Sequence, residues 1–301
     1  MKIAITGASG FIGRALVDAI EARGDTVVTF IRSDVAQQNA VRWSPHLQSI
    51  NHEDLARAGT IDAVVHLAGA GIADKRWSKA RKQEILESRV KGTALVASTI
   101  GELISPPRVV LSGSAIGIYG SRGEEVLTEA SSRGEGFLAD VCEAWESAAQ
   151  PIVSRGSTVT YLRTGIVMGA SGGALKKQLP LFRAGLGGRL GSGKQFLSPI
   201  SLRDHIRAML FLIDQPVNGA VNLVAPTPLT NQAFTAALGR AVHRPALAMV
   251  PKSALAIALG SDLVTEALLA SQRVTPDVLH KQGFEFLDPT IDDILTAALV
   301  S

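Results

Sequence analysis

The sequence predicts an α/β fold, a doubly wound parallel sheet with a smaller α/β domain beside it. Three observations predict it. A glycine-rich turn sits between a short apolar run and a helix-like stretch, apolar strand candidates then alternate with helical segments as far as residue 165, and the texture changes after that. Near-continuous apolar strands interleaved with helices fit a sheet buried on both faces.

Lys2 to Thr6 (KIAIT) is the first strand, and it runs straight into Gly7, Gly10 and Gly13. Arg14 to Arg23 has helical composition, with Gly24 in C-cap position. Thr26 to Ile31 (TVVTFI) is rich in β-branched residues and reads as the second strand. Strand, turn, helix and strand thus close within about 30 residues, the length of a βαβ unit. Ile61 to Leu67 (IDAVVHL) is a buried strand ending at Ala68-Gly69, and Trp77 to Ile104 carries a long helix interrupted only by Gly92 and Gly101. Arg108 to Ser112 (RVVLS) is a strand, Phe137 to Gln150 a helix, and Thr158 to Leu162 (TVTYL) a strand leading into Arg163-Thr164-Gly165. Beyond this point Gly169 to Gly193 is glycine-rich, Asp204 to Asp214 and Thr230 to Val242 read as helices, and Gly219 to Val224 as a strand.

The spacing Gly7-Ala8-Ser9-Gly10-Phe11-Ile12-Gly13 carries the first functional signal. Glycines let the backbone turn sharply and approach a pyrophosphate, while the helix N-terminus offers unpaired N–H groups and a positive dipole end. Gly13 lets the helix pack closely on the sheet, and Ser9 adds a hydroxyl donor. This predicts a Rossmann domain over residues 1–165 that binds a dinucleotide. Residues 166–301 are then mainly a substrate-side domain, with segments near 198–240 returning to the first. The end of the second strand separates NAD from NADP: an acid there accepts from ribose hydroxyls, whereas an arginine pairs with a 2′-phosphate. Arg32 stands there, so NADP is expected over NAD; the competing reading makes Arg32 an ordinary exposed strand-end residue. Asp34 lies farther on and is expected to face solvent.

Composition narrows the remaining classes. With 301 residues, 46% hydrophobic and 19% charged, the chain is long and apolar enough for a large core. A net charge of +3 is spread out, and short basic groups such as Lys75-Arg76 lack aromatic interleaving, which argues against nucleic acid as a partner. One cysteine, Cys142, allows no internal disulfide. The opening apolar run is too short for a signal peptide, and Ala254 to Gly260 is too short to span a bilayer, so a cytoplasmic protein without a membrane partner is expected. Neither His46, His52, His205, His243 nor His280 has the close-spaced pairing of a zinc site. His66 is expected to be a near-core side chain.

With TGASGFIG at the start and SGSAIGIYG at residues 112–120, the chain resembles the extended short-chain dehydrogenase/reductases, which include sugar-nucleotide epimerases and dehydratases. HLAGAGIADKRW (66–77), SRVKGT (88–93), FLADVCEAWE (137–146), LRTGIVMG (162–169), GLGGRLGSGKQFLS (185–198) and APTPLTNQAF (225–234) extend the likeness to an epimerase-like subfamily with its own C-terminal domain. The resemblance implies a pyrophosphate over Gly7 to Gly13, an adenosine phosphate near Arg32, and Leu67, Ala68 and Gly69 along the cofactor. It also implies Ser112 and Ser114 near the nicotinamide, with Ser114 orienting substrate, and a segment from Arg163 through Gly165 to Val167 closing over that end. A homodimer through long sheet-domain helices is a further implication.

One departure stands against these matches. Oxidoreductases of this superfamily use Tyr-x-x-x-Lys on a helix, a spacing that puts both side chains on one face. Aligning Phe137 to Glu146 with that helix puts Leu138 at the tyrosine position and Cys142 at the lysine position. The dyad is missing. Tyr119, five residues after Ser114, is the candidate replacement proton donor, with a pocket wall as the competing reading; Tyr161 reads as core. Cys142 reads as a small buried hydrophobe and Glu146 as a helix-surface or cap-pairing group. Asp204 matches an acid of the family pattern, but Arg203, Pro199 and Ser201 replace the Asp, Trp and His common around it. Arg189 and Lys194 in the glycine-rich GLGGRLGSGKQ segment suit an anionic or sugar-like small-molecule substrate, with a solvated loop as the alternative. Two functions remain: an NADP-dependent oxidoreductase or epimerase-like enzyme, and a non-catalytic NADP-binding sensor or interaction protein.

Overall fold

The computed structural model describes residues 1–33 and 37–300, which leaves Asp34 outside the described residues. Strands β1 (Lys2–Thr6), β2 (Thr26–Ile31), β3 (Ala40–Ser44), β4 (Ser49–Ile50), β5 (Ala63–His66) and β6 (Val109–Ala115) join Thr158–Thr164 and Gly219–Leu223 in one eight-stranded sheet. Its order from one edge is Gly219–Leu223, Thr158–Thr164, β6, β5, β1, β2, β3, β4, and only the β3–β4 pair is antiparallel. The sheet is therefore a doubly wound Rossmann sheet.

Two cores cover its faces. On one, Leu16 and Ile20 of helix α1 (Phe11–Ala22) and Met209 and Leu212 of the Leu202–Asp214 helix pack against Ile3, Ile5 and Leu111. On the other, Leu95, Val96 and Ile100 pack against Val28, Val64 and Val110. These three come from helix α3 (Lys79–Glu102), which follows the short helix α2 (His52–Ala58). A third core lies outside the sheet, where Leu179, Phe234 and Ile294 meet from the helices Gly173–Arg183, Asn231–Ala241 and Ile291–Val300.

Short parallel pairings stitch the later chain to the sheet side. Ile166–Gly169 runs beside Pro199–Ser201, and Val126–Leu127 beside Arg273–Val274. No element is legible in the sequence between Arg32 and Ile61. The chain there makes β3, β4 and α2, with Trp43 buried beside Phe30 at 5.7 Å between ring centroids. Short strands with polar partners, as in AVRWS, carry no clear period.

Candidate functional site

The first half of the site is built from backbone. After β1 the chain turns at Gly7 with φ 74°. A Cβ at Gly7 would stand 3.0 Å from the Ala68 amide nitrogen, so the ends of β1 and β5 approach this closely only around a glycine. A Cβ on Gly13 would meet the Gly7 carbonyl oxygen at 2.1 Å, which makes the third glycine a packing requirement of α1 on the turn. Gly10 is the N-cap of α1 and brings no side chain to cap it. The first-turn amides of Phe11, Ile12 and Gly13 thus sit at an open helix N-terminus, a ready anion site. The ring of Phe11 packs away from the turn, under Gly172 and Gly173.

Thr6 ties the end of β5 to this turn. Its Oγ1 accepts from the amides of Leu67 (3.1 Å) and Ala68 (3.2 Å), which leaves its proton for His66 Nδ1 at 2.7 Å. His66 is therefore neutral with its hydrogen on Nε2, and burial pushes its pKa down to about 4. It is a near-core structural side chain.

A cleft of about 1280 Å³ runs from Gly7–Gly10 past Leu67, Ala68 and Gly69 to Arg32 and Trp43. Such a volume suits a ligand larger than a simple metabolite. Arg32 is exposed at the cleft's far end and has no hydrogen-bond or carboxylate partner among the described residues. Arg42, beside it, is instead held by Asp54 at 2.6 Å. The residues present thus fit a dinucleotide: a glycine turn, a bare helix N-terminus and an unspent cation share one trench.

The second half of the site is built from side chains. Ser114 is buried at the end of β6, and its hydroxyl donates to Glu146 Oε1 at 2.7 Å. Arg163 clamps the same carboxylate with Nε at 2.9 Å and Nη2 at 3.0 Å. Its Nη1 reaches the Tyr119 hydroxyl at 3.0 Å, and that hydroxyl donates to Asn222 Oδ1 at 2.7 Å. The Asn222 backbone amide in turn donates to the half-buried carboxylate of Glu129. One network therefore joins β6, helix α4 (Phe137–Ala148), and the strands Thr158–Thr164 and Gly219–Leu223.

This corrects two sequence expectations. Tyr119 is 0% exposed, its pKa is raised by burial, and its hydroxyl is committed to Asn222 and Arg163, so it does not reach a pocket as a proton donor. Glu146 is not a helix-surface group, because α4 turns it inward onto Ser114 and Arg163. Arg163 spends its guanidinium on that ion pair; pairing with Glu146 and Tyr119 outweighs burial and holds its pKa above the ordinary arginine value. Gly165 is required by packing, since a Cβ there would lie 2.4 Å from the Ser198 carbonyl oxygen. Ser112 is buried between His66 and Tyr161 in the sheet register, and its hydroxyl has no partner among the described residues.

Leu138 and Cys142 pack on the turn Ile116–Tyr119: a Cβ on Gly117 would lie 3.4 Å from Leu138 Cβ and 3.6 Å from Cys142 Sγ. Burial pushes the Cys142 thiol up to about 12. Neither position supplies acid–base chemistry. The Leu138 amide donates to Glu266 Oε2 at 3.0 Å, a contact from the C-terminal region that no motif signals.

Other candidates fall into structural roles. Asp204 is fully buried and accepts from the amides of Leu287 (3.2 Å) and Asp288 (2.8 Å), while Arg203 pairs with Asp288. Gly188–Leu190 pairs with Ala248–Val250, and Arg189 faces Met249 and the Ser192 carbonyl rather than the cleft. Trp77 donates to the Ile72 carbonyl at 2.7 Å and packs edge-on to Phe137. Tyr161 is core, as its strand position predicts. No group of three or more metal-ligating side chains occurs among the described residues. Sequence reasoning missed Arg89, Asn222 and Glu129; each gains its meaning from partners distant in sequence, so no local pattern marks it.

Comparison with known proteins agrees with this architecture. Residues 3–224 match the model of the NAD dependent epimerase/dehydratase family, and residues 250–298 match a domain of unknown function, DUF1731. An epimerase family protein of Mycobacterium bovis is 41% identical over 294 residues, covering 97% of this chain and 96% of that protein. A chloroplastic Arabidopsis thaliana protein, the epimerase family protein SDR39U1 homolog, is 34% identical over 309 residues, covering 99% and 87%. The crystal structure of human epimerase family protein SDR39U1 with NADPH superposes with a TM-score of 0.90 at 29% identity, covering all of both chains. On fold, glycine turn and family match together, the chain belongs to the NAD dependent epimerase/dehydratase family.

Proposed function

We propose that the protein binds NADP in the Gly7–Gly13 cleft and acts as an oxidoreductase or epimerase-like enzyme on a small polar or nucleotide-linked substrate. The observation that carries this reading is Arg32, without a partner among the described residues, at the far end of a glycine-built trench. The NADPH named with the human structure supports the choice of dinucleotide. A cytoplasmic setting fits a single buried cysteine and the lack, among the described residues, of any helix long and apolar enough to cross a membrane.

A bound nicotinamide would supply two-electron chemistry. The chain's own contribution centres on Ser114. Glu146, clamped by Arg163, accepts the Ser114 hydrogen bond, so Ser114 Oγ keeps its lone pairs for a ligand. That arrangement receives a substrate hydroxyl, whose proton passes to Ser114 Oγ as the serine proton moves to Glu146 Oε1. Ser114 thus favours an alcohol over a carbonyl as the group bound first, without needing the absent tyrosine.

A second reading has its own observation: Leu138 and Cys142 make the dyad positions apolar, as in a cofactor-binding sensor. The test separates them. Fluorescence titration with NADPH and NADH should show an NADPH preference that Arg32→Ala abolishes; an unchanged preference removes the phosphate assignment. Alcohol- or sugar-dependent reduction of NADP should then fall at least tenfold in both Ser114→Ala and Glu146→Gln. Redox turnover indifferent to both variants would overturn the Ser114 mechanism, and tight NADPH binding with no turnover on a broad panel would favour the sensor.

A further inference from the structure

Besides Arg32, a second cation lies against the cleft wall with no carboxylate in salt-bridge reach among the described residues. Arg89 projects from α3 and is half-buried. Its Nη1 donates to the carbonyls of Ala70 (3.0 Å) and Ile85 (3.1 Å). Among the described residues its Nε and Nη2 make no hydrogen bond and no carboxylate lies within salt-bridge reach, whereas Arg42, Arg81 and Arg163 each pair with an acid. A half-buried guanidinium held only by two carbonyls is costly unless something else completes its bonds.

Its surroundings say where that partner lies. A Cβ on Gly69 would touch Arg89 Cγ and Cζ at 3.4 Å, so the guanidinium lies directly under a residue of the cleft wall. Gly69 follows the Leu67–Ala68 segment that packs on Gly7, beyond the anion turn and away from Arg32. The other side of Arg89 stacks on the Trp145 ring, 4.9 Å from its centroid. Trp145 covers Gly113, next to Ser114, and Cys142, at the position of the missing lysine, is near enough to interact with the Arg89 charge. The stack fixes the guanidinium plane, leaving two N–H edges in defined directions.

We propose that Arg89 replaces the absent helix lysine as the cation of the nicotinamide half of the site, donating from Nε and Nη2 to oxygen acceptors on the nicotinamide-side ribose of the dinucleotide. This rests on the NADP reading above and adds a second anchor, beside Gly69 and apart from Arg32. A truncated probe set beside NADPH distinguishes the two ends, because 2′,5′-ADP carries the 2′-phosphate and adenosine but lacks the nicotinamide half.

The experiment measures NADPH and 2′,5′-ADP affinities for wild type, Arg89→Leu, Arg89→Lys and Arg32→Ala, with melting temperature recorded for each. Arg89→Leu should weaken NADPH at least tenfold and leave 2′,5′-ADP within about twofold, and Arg89→Lys should recover part of the loss. Arg32→Ala should weaken both probes. Equal effects of Arg89→Leu on the two probes, or none on either, would overturn the Arg89 assignment while leaving NADP binding intact. Should Arg89→Leu fail to fold, Arg89→Lys alone decides, since a changed NADPH to 2′,5′-ADP ratio supports the assignment and an unchanged one removes it. A wild-type protein that binds neither probe would defeat the cofactor reading itself, a distinct result.

Discussion

The two halves of the site are built on opposite plans. Around Gly7, Gly10 and Gly13 the features offered to a ligand are backbone amides and the short Ser9 side chain, with the exposed Arg32 farther along the cleft. Around Ser114 nearly every polar atom is taken by another side chain, from Glu146 through Arg163 and Tyr119 to Asn222. The first end tolerates change wherever the backbone keeps its shape. The second behaves as a unit, because each group's protonation and orientation depend on its neighbour.

That contrast can be broken by substitution, and the largest effect should come from the side-chain end. Arg163→Met leaves the Glu146 carboxylate nearly buried without its ion partner, which should cost about 3–5 kcal/mol in denaturant unfolding. A loss below about 1 kcal/mol would mean that the network is not the unit described. Partial recovery in the double variant Arg163→Met/Glu146→Gln would sharpen the point.

Acid sensitivity tests the seam between the ends. His66 has its pKa lowered from 6.5 to about 4, so the unfolded chain binds more protons between these values. Its contribution is fully present above pH 6.5 and is lost as pH falls toward 4; at pH 5 the loss is about 2 kcal/mol. His205, lowered to about 3 by burial, acts in the same direction. Unfolding free energies between pH 7 and 5 should fall less steeply for His66→Gln than for wild type. Parallel curves would show that His66 does not titrate as buried.

The glycine end gives smaller numbers. Arg32→Ala should reduce NADPH affinity about tenfold, near 1.4 kcal/mol, with stability unchanged, as removal of an exposed charge-assisted contact predicts. Altered unfolding together with unaltered affinity would reverse the assignment. Smallest of all, Cys142→Ala should cost about 1 kcal/mol of packing and leave NADPH binding as it was. Native Cys142 should also resist alkylation at pH 8, since its thiol is pushed up to about 12. Rapid labelling of the folded protein would contradict that.

Sequence alone determined the glycine turn, the strand–helix alternation and the strand-end arginine. Each is a local rule: a residue without Cβ where a backbone must pass, apolar runs where a sheet is covered on both faces, a cation where a strand stops. Even the loss of the tyrosine–lysine pair is local, because four residues on one helix decide it. The β3–β4 hairpin escaped because strands of five and two residues carry too short a period to stand out.

Only the tertiary structure decided what Tyr119, Glu146, Arg163 and Arg89 do. Glu146 looked like a surface residue and Tyr119 like a reachable acid, since a helix or loop position does not say which neighbour lies across the sheet. Ser114 meets Glu146 across 32 positions, and Tyr119 meets Asn222 across 103. Arg89 is defined by having no carboxylate partner among the described residues. A charge left unpaired is a property of everything folded around it, and no stretch of sequence contains that.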